Sequence, residues 1–314
     1  MVTVQLDKFC RQLQLEIITD AGVGEFDLIS ASANRPGLLL SGYFDYFSKG
    51  LIQVLGKSEI SYLNGGMDQN RRREILERFF GLDFPVLIVC RDLPVPEDMI
   101  AIADKAGKPV LRSKEMTARF LQRVMMHCDH LLAPRITEHG VLVDVYGVGI
   151  MLMGDSGIGK SETALELVKR GHRLVADDVV DIMRVSDNRL VGMAPPVTRH
   201  FMEIRGIGIV NIEAMYGISA VIDSKSIDIV ISLEMWQQNK NYDRLGLVDD
   251  TVKILDVEVP NLLIPVHPGR QIAIIVEVAA RNYRLKASGY HAAREMVESR
   301  VPQMMNLNEG IDHN

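Results

Sequence analysis

The stretch Gly154-Asp155-Ser156-Gly157-Ile158-Gly159-Lys160-Ser161 decides how this chain is read. It fits the pattern G-x-x-x-x-G-K-[ST] at every fixed position. An apolar strand over Ile150–Met153 leads in. A helix over Ser161–Lys169 leads out, with Ala164, Leu165, Leu167 and Val168 on its apolar side. Glycines let backbone wrap closely round phosphate oxygens and take positive φ. Loop amides and the helix N-terminus focus a positive potential on the same point. Lys160 can reach the β- and γ-phosphates of a nucleotide, and the Ser161 hydroxyl can ligate Mg²⁺. The loop implies binding of nucleoside-triphosphate phosphates and does not say where the phosphoryl group goes. Kinases, ATPases, GTPases and carboxykinases share it.

Downstream, Arg173-Leu174-Val175-Ala176-Asp177-Asp178 is an apolar strand ending in two acids. Strand carboxyl ends gather at one edge of an α/β sheet, so both acids belong near the phosphates. A Mg²⁺ ligand and a general base are the two roles they could fill, and the sequence does not divide them between Asp177 and Asp178. A solvated turn is the plainer reading. Upstream, Glu138 and His139 stand at the start of a strand that runs into Gly140-Val141-Leu142-Val143. In Phe201–Asn211, Glu203 and Arg205 flank Ile204 as on one strand face, or as a surface ion pair on a hairpin. Asn241–Gly246 is a polar turn with Arg244, and Pro265-Val266-His267-Pro268-Gly269-Arg270 is a rigid loop able to hold an anion or merely to connect. Near the end, Tyr290, Ala293, Met296, Val297 and Arg300 share a helical face that would dock on the chain's own core or on a partner.

The chain has 314 residues, 47% of them apolar, enough for about two domains with buried cores. The first ~130 residues alternate helices and strands. Leu6, Phe9, Cys10 and Leu13 follow helical spacing. Leu38-Leu39-Leu40 reads as a short buried strand, and Phe44, Phe47, Leu51 and Val54 as a helical stripe. Pro85–Cys90 is a buried strand. Met99, Ile102 and Ala103 mark a helix closed by Gly107 and Pro109, Val110-Leu111 is a strand, and Met116–His127 a helix. Helical spacing fades between Met125 and Pro134, which sets the domains at 1–132 and 133–314, an α/β pair. Net charge is −6 with no basic block, which argues against nucleic acid and leaves room for a small basic protein partner. Cys10, Cys90 and Cys128 form no CxxC pair and suggest neither metal nor disulfide. No apolar run could span a bilayer and no leader pattern stands at the start, so a cytoplasmic protein is expected.

Taken in order, Glu138-His139-Gly140, Gly154–Ser161, Asp177-Asp178, Met202–Asn211, Asp243-Arg244 and Pro265–Arg270 resemble the bifunctional HPr kinase/phosphorylase family of Gram-positive bacteria across essentially the whole chain. The run Met202-Glu203-Ile204-Arg205-Gly206-Ile207-Gly208 is its most specific part. The resemblance implies phosphorylation of a serine of the phosphocarrier HPr by ATP or pyrophosphate. It also implies phosphorolysis of seryl-phosphorylated HPr by phosphate to give pyrophosphate, in the service of carbon catabolite control. It further implies a homohexamer, a catalytic C-terminal P-loop domain with a core like phosphoenolpyruvate carboxykinase, and a separate N-terminal α/β domain. By the same resemblance Lys160 contacts phosphate, Ser161 and Glu203 serve Mg²⁺, and Asp178 exchanges the serine proton. His139 and Arg244 complete the active positions, and Pro265–Arg270 serves dephosphorylation. A small-molecule carboxykinase and a nucleotide-driven switch are the rival readings.

Overall fold

The computed structural model describes residues 1–238, 240, 242, 250–267 and 269–296, the side chains of 293 and 294 apart. The chain divides into two compact units, Met1–Ala133 and Pro134–Asn314.

The first unit is built on a five-stranded sheet in the order Glu16–Thr19, Val110–Arg112, Leu87–Val89, Ile52–Leu55, Ala33–Asn34. The last four are mutually parallel and the first is antiparallel to its neighbour. Side chains alternate across a strand, so a sheet buried on both faces needs apolar residues at every position. Leu55, Leu87, Val89 and Val110 enter one core, and Val54, Ile88 and Leu111 enter the other. The helix Leu6–Leu13 buries Leu6, Phe9, Cys10 and Leu13, the four positions its spacing marks. The helices Glu97–Lys105 and Thr117–Leu132 also form, the second continuing to Leu132 where the spacing had faded.

Two expectations fail here. Leu38-Leu39-Leu40 is no strand but the body of a short helix, Gly37–Leu40, with Leu38 71% exposed. Pro36 stands at its N-cap, and its carbonyl accepts from the Leu40 N–H at 3.0 Å, closing the turn. The stripe Phe44–Val54 is no helix: Gly50 at φ +69 interrupts it, and Ile52–Leu55 is a strand buried at all four positions.

The second unit has three layers. A six-stranded sheet runs Arg173–Ala176, Val141–Val145, Val148–Gly154, Ile229–Met235, Val257–Val266, Thr251–Ile254. One face packs on the helices Lys160–Lys169 and Ile272–Ala287 through Val143, Ile150, Leu152, Ile231, Leu167 and Val276. The other face packs, through Leu142, Met151, Val175 and Val230, on a four-stranded antiparallel sheet that includes Arg135–His139, Val179–Ser186 and Arg189–Met193. Val148–Gly154, Ile229–Met235 and Val257–Val266 are parallel. Arg173–Ala176 points the same way, because two antiparallel pairings separate it from Val148–Gly154. The carboxyl ends of four strands therefore meet at one edge, where an open α/β sheet holds its ligand. No helix among the described residues is long and apolar enough to cross a membrane.

The two sheets approach closely at Gly149, where an added Cβ would stand 1.7 Å from the Ser226 carbonyl oxygen. Backbone cannot yield as a side chain does, so Gly149→Ala should lower unfolding stability by about 1–3 kcal/mol or more. Gly65→Ala, in the helix Lys57–Gly65 with open space around it, should be neutral or stabilising by up to about 1 kcal/mol. Urea unfolding of the two variants checks both signs.

Candidate functional site

The strand Val148–Gly154 delivers the glycine-rich loop to the sheet edge, and the helix Lys160–Lys169 leaves it. Gly154, at φ +142, lies so close to the next strand that a Cβ would meet the Leu233 carbonyl oxygen at 2.4 Å. Ile158 turns inward and anchors the loop in the core. The buried Thr163 hydroxyl donates to the Gly159 carbonyl at 2.7 Å, fixing the first helical turn. Lys160 arches back over its own loop, its Nζ donating to the carbonyls of Gly154 at 2.7 Å and Asp155 at 3.1 Å.

The two acids are placed very differently. Asp177 is 5% exposed. Its Oδ1 accepts from the Ser161 hydroxyl at 2.8 Å, and its Oδ2 accepts from the Glu203 backbone N–H at 3.2 Å. Burial raises its carboxyl above the ordinary range; the two hydrogen bonds oppose that and the neighbouring Asp178 charge adds to it. Asp178 is exposed and sits at φ +65. Val179 N–H donates to the Asp177 carbonyl at 2.8 Å, closing a three-residue γ-turn around Asp178. Such a backbone costs on the order of 1–3 kcal/mol and persists only where its surroundings enforce it. Here Gly140 N–H donates to the Asp178 carbonyl at 3.0 Å, and Val179 pairs with His139 in the ladder.

A cavity of about 460 Å³ opens above these groups. Gly154, Ser156, Gly157, Gly159, Lys160 and Ser161 line it from the loop, and Glu162 from the helix. Asp177, Asp178 and His139 line it from the strand ends, and Glu203 and Arg205 from the hairpin Phe201–Ile204/Gly208–Asn211. Arg205 hangs over the loop, since a Cβ on Gly157 would stand 2.9 Å from its Nη1. The structure thus brings His139, Lys160, Ser161, Asp178 and Glu203 into one cavity.

Other sequence-marked positions fall elsewhere. Glu138 and His139 end the strand Arg135–His139 rather than starting one, because Gly140 turns the chain into the next strand. Asp155 and Ile158 belong to the loop but do not line the cavity. Pro265 and Val266 close a strand rather than open a loop. The His267 ring lies against Trp236, with centroids 4.9 Å apart. Val266 and Arg270 line a neighbouring groove. Asp243, Arg244, Pro268, Val297 and Arg300 lie outside the described residues. Glu162 was missed by sequence reasoning; a carboxylate directly after the loop serine, in the first turn of a helix, was the available signal.

Residues 4–127 match the family model described as HPr Serine kinase N terminus, and residues 130–300 the one described as HPr Serine kinase C-terminal domain. The chain belongs to the HPr kinase/phosphorylase family. It is 48% identical over 306 residues to the HPr kinase/phosphorylase of Thermoanaerobacter sp. strain X514, covering 98% of this chain and 100% of that protein. It is 47% identical over 313 residues to the HPr kinase/phosphorylase of Caldicellulosiruptor bescii, covering 99% and 100%. The solved structure of the Hpr(Ser) kinase/phosphatase from Coxiella burnetii is 35% identical, covering 51% of this chain and 98% of that one, with a TM-score of 0.47.

In this HPr kinase/phosphorylase family member the raised Asp177 carboxyl has a consequence for stability. The folded state holds the Asp177 proton to higher pH than the unfolded chain, whose ordinary value is 3.8. The contribution is fully present below that value and is lost as pH rises through the folded value. Wild type should therefore lose stability relative to Asp177→Asn as pH climbs above about 3.8, then run parallel to it once pH has passed the raised folded value. Urea unfolding of both proteins across that window reads the difference; a gap that widens in wild type's favour contradicts the burial effect.

Proposed function

We propose that this chain transfers a phosphoryl group from ATP, or from pyrophosphate, to a serine of HPr. It also catalyses phosphorolysis of seryl-phosphorylated HPr by phosphate to give pyrophosphate, and so serves carbon catabolite repression. The observation that carries this reading is one cavity holding both a phosphate loop and an exposed, backbone-strained carboxylate at Asp178. The neighbouring Asp177 is already engaged on both oxygens. We assign the chemistry to the 133–314 unit, with a core of the phosphoenolpyruvate-carboxykinase kind.

In the kinase direction the serine Oγ forms a bond to the γ-phosphorus while the bond from that phosphorus to the bridging oxygen breaks. Asp178 takes the hydroxyl proton. In phosphorolysis a phosphate oxygen attacks the seryl phosphorus, the seryl O–P bond breaks, and Asp178 returns a proton to the seryl oxygen. One group in one place therefore serves both directions. Lys160, the loop amides and Arg205 face the oxygens on which charge spreads. Asp177 acts as a strut, holding Ser161 and the Glu203 backbone at fixed distance. His139 pairs in the ladder with Val179, the residue after Asp178, and lines the same cavity; it would orient Asp178 or the incoming hydroxyl.

The donors at the loop are oxygens: the Ser161 hydroxyl and the carboxylates of Glu203 and Asp178. Among the described residues there is no cluster of three or more His, Cys, Asp or Glu able to hold a metal ion alone. Few protein oxygens beside phosphate is the setting Mg²⁺ uses, keeping most of its other ligands as water and phosphate. Ser161 and Glu203 would hold it, and bound there it would offset charge on the phosphoryl oxygens. Arg244 and the segment Pro265–Arg270 complete the site and serve dephosphorylation on the strength of the family resemblance. The same support extends to a cytoplasmic homohexamer.

The test is phosphoryl transfer from labelled ATP with and without purified HPr. Label should move to an HPr serine. Nucleotide turnover undiminished without HPr would favour a small-molecule enzyme or a switch. Lys160→Ala should abolish both kinase and phosphorolysis rates, since both pass phosphate through one site; near-normal phosphorolysis in that variant would require two sites.

A further inference from the structure

The phosphate cavity does not end at the loop. Gly159 and Glu162 also line a second groove, of about 490 Å³, which Asp178 does not line. Its volume lies in the roughly 300–1,000 Å³ range of small-molecule clefts. Buried Ile158, Ile272 and Ala273 contribute apolar surface. Glu162 and Glu166, one turn apart on the helix Lys160–Lys169, present carboxylates. Gln271 stands exposed at the rim, at the N-cap of the helix Ile272–Ala287, and its side chain makes no capping bond.

We propose that this groove seats the nucleoside of the phosphoryl donor, with the base against the apolar surface and the sugar hydroxyls toward Glu162 and Glu166. This rests on reading the phosphate cavity as a nucleoside-triphosphate site. Three observations carry it. First, Asp178, Glu203 and Arg205 line only the phosphate cavity, while Gly159 and Glu162 line both. A polyphosphate with its reacting end at Asp178 thus has its other end at the mouth of the groove. Second, ionised carboxylates only accept hydrogen bonds, which suits hydroxyl donors. Third, the two cations of the groove are already engaged: Arg170 with Glu166 at 3.0 Å and Glu277 at 3.3 Å, and Arg270 with the Pro265 carbonyl at 2.5 Å. A second free phosphate would meet like charge without an available counter-charge; a neutral base and sugar do not.

The test compares donors with and without a nucleoside on the full-length protein. Gln271→Trp adds bulk at the exposed end of the groove and alters none of the residues that line the phosphate cavity. Titration calorimetry with Mg-ADP and with magnesium pyrophosphate should show nucleotide affinity falling by about tenfold or more, while pyrophosphate affinity holds within about twofold. Retained pyrophosphate binding also shows the variant to be folded. Equal loss for both ligands, or loss for neither, overturns the proposal. Transfer to HPr from pyrophosphate by the same variant is read separately. Wild type that phosphorylates HPr from neither donor would overturn the functional reading and leave the titration interpretable.

Discussion

The site depends on the two hydrogen bonds accepted by Asp177. One comes from the hydroxyl of Ser161 in the first turn after the loop, the other from the backbone of Glu203 on the hairpin. Phosphate loop, acidic strand end and hairpin are distant in sequence, and this buried carboxylate holds all three. Burial makes the arrangement rigid, because a buried carboxylate deprived of either donor would lose compensation for its desolvation. It also takes Asp177 out of contention as a freely available base. Its neighbour Asp178 is the exposed acid of the pair and lines the cavity.

Sheet geometry does the remaining placement. Asp178 follows a strand whose carboxyl end lies at the same edge as the loop. The pairing of Val179 with His139 and the Gly140 amide on the Asp178 carbonyl hold it in a γ-turn at φ +65. The far end of the loop helix is fixed as well. His172 and Arg170 meet Glu277 at 3.0 and 3.3 Å, and the Tyr146 hydroxyl donates to the same carboxylate at 3.2 Å. The helix that carries Lys160 and Ser161 is thus held against Ile272–Ala287 at its end and against Asp177 at its start.

What could be read from sequence followed the range of the interactions involved. The phosphate loop was legible because its residue types answer to local needs: glycine for close backbone approach, a cation and a hydroxyl at fixed spacing. The helix Leu6–Leu13 was legible from one apolar stripe. Leu38–Leu40 is ambiguous in sequence because three leucines look alike in a strand and in a helical turn; the bond from Leu40 N–H to the Pro36 carbonyl makes it a turn of helix. Lys57–Gly65 and Gln69–Phe80 do not declare themselves in the sequence, since Gly65-Gly66 and the charged run Arg71-Arg72-Arg73 blur their stripes. The unequal roles of Asp177 and Asp178 were beyond reach. Adjacent identical side chains differ only through Ser161, Glu203, Gly140 and Val179, and three of those four partners belong to other elements of the fold.

The division of labour between these two acids is the central claim, and single-turnover transfer to HPr by Asp178→Asn tests it most directly. Mg-ATP affinity is measured beside the rate across a Mg²⁺ series. The account predicts near-normal nucleotide binding with a chemical step slowed by roughly 10²–10⁴, the usual worth of a positioned general base, and no rescue by added metal. Weakened Mg-nucleotide binding, with the rate restored by excess Mg²⁺, would make Asp178 a metal residue and contradict the account.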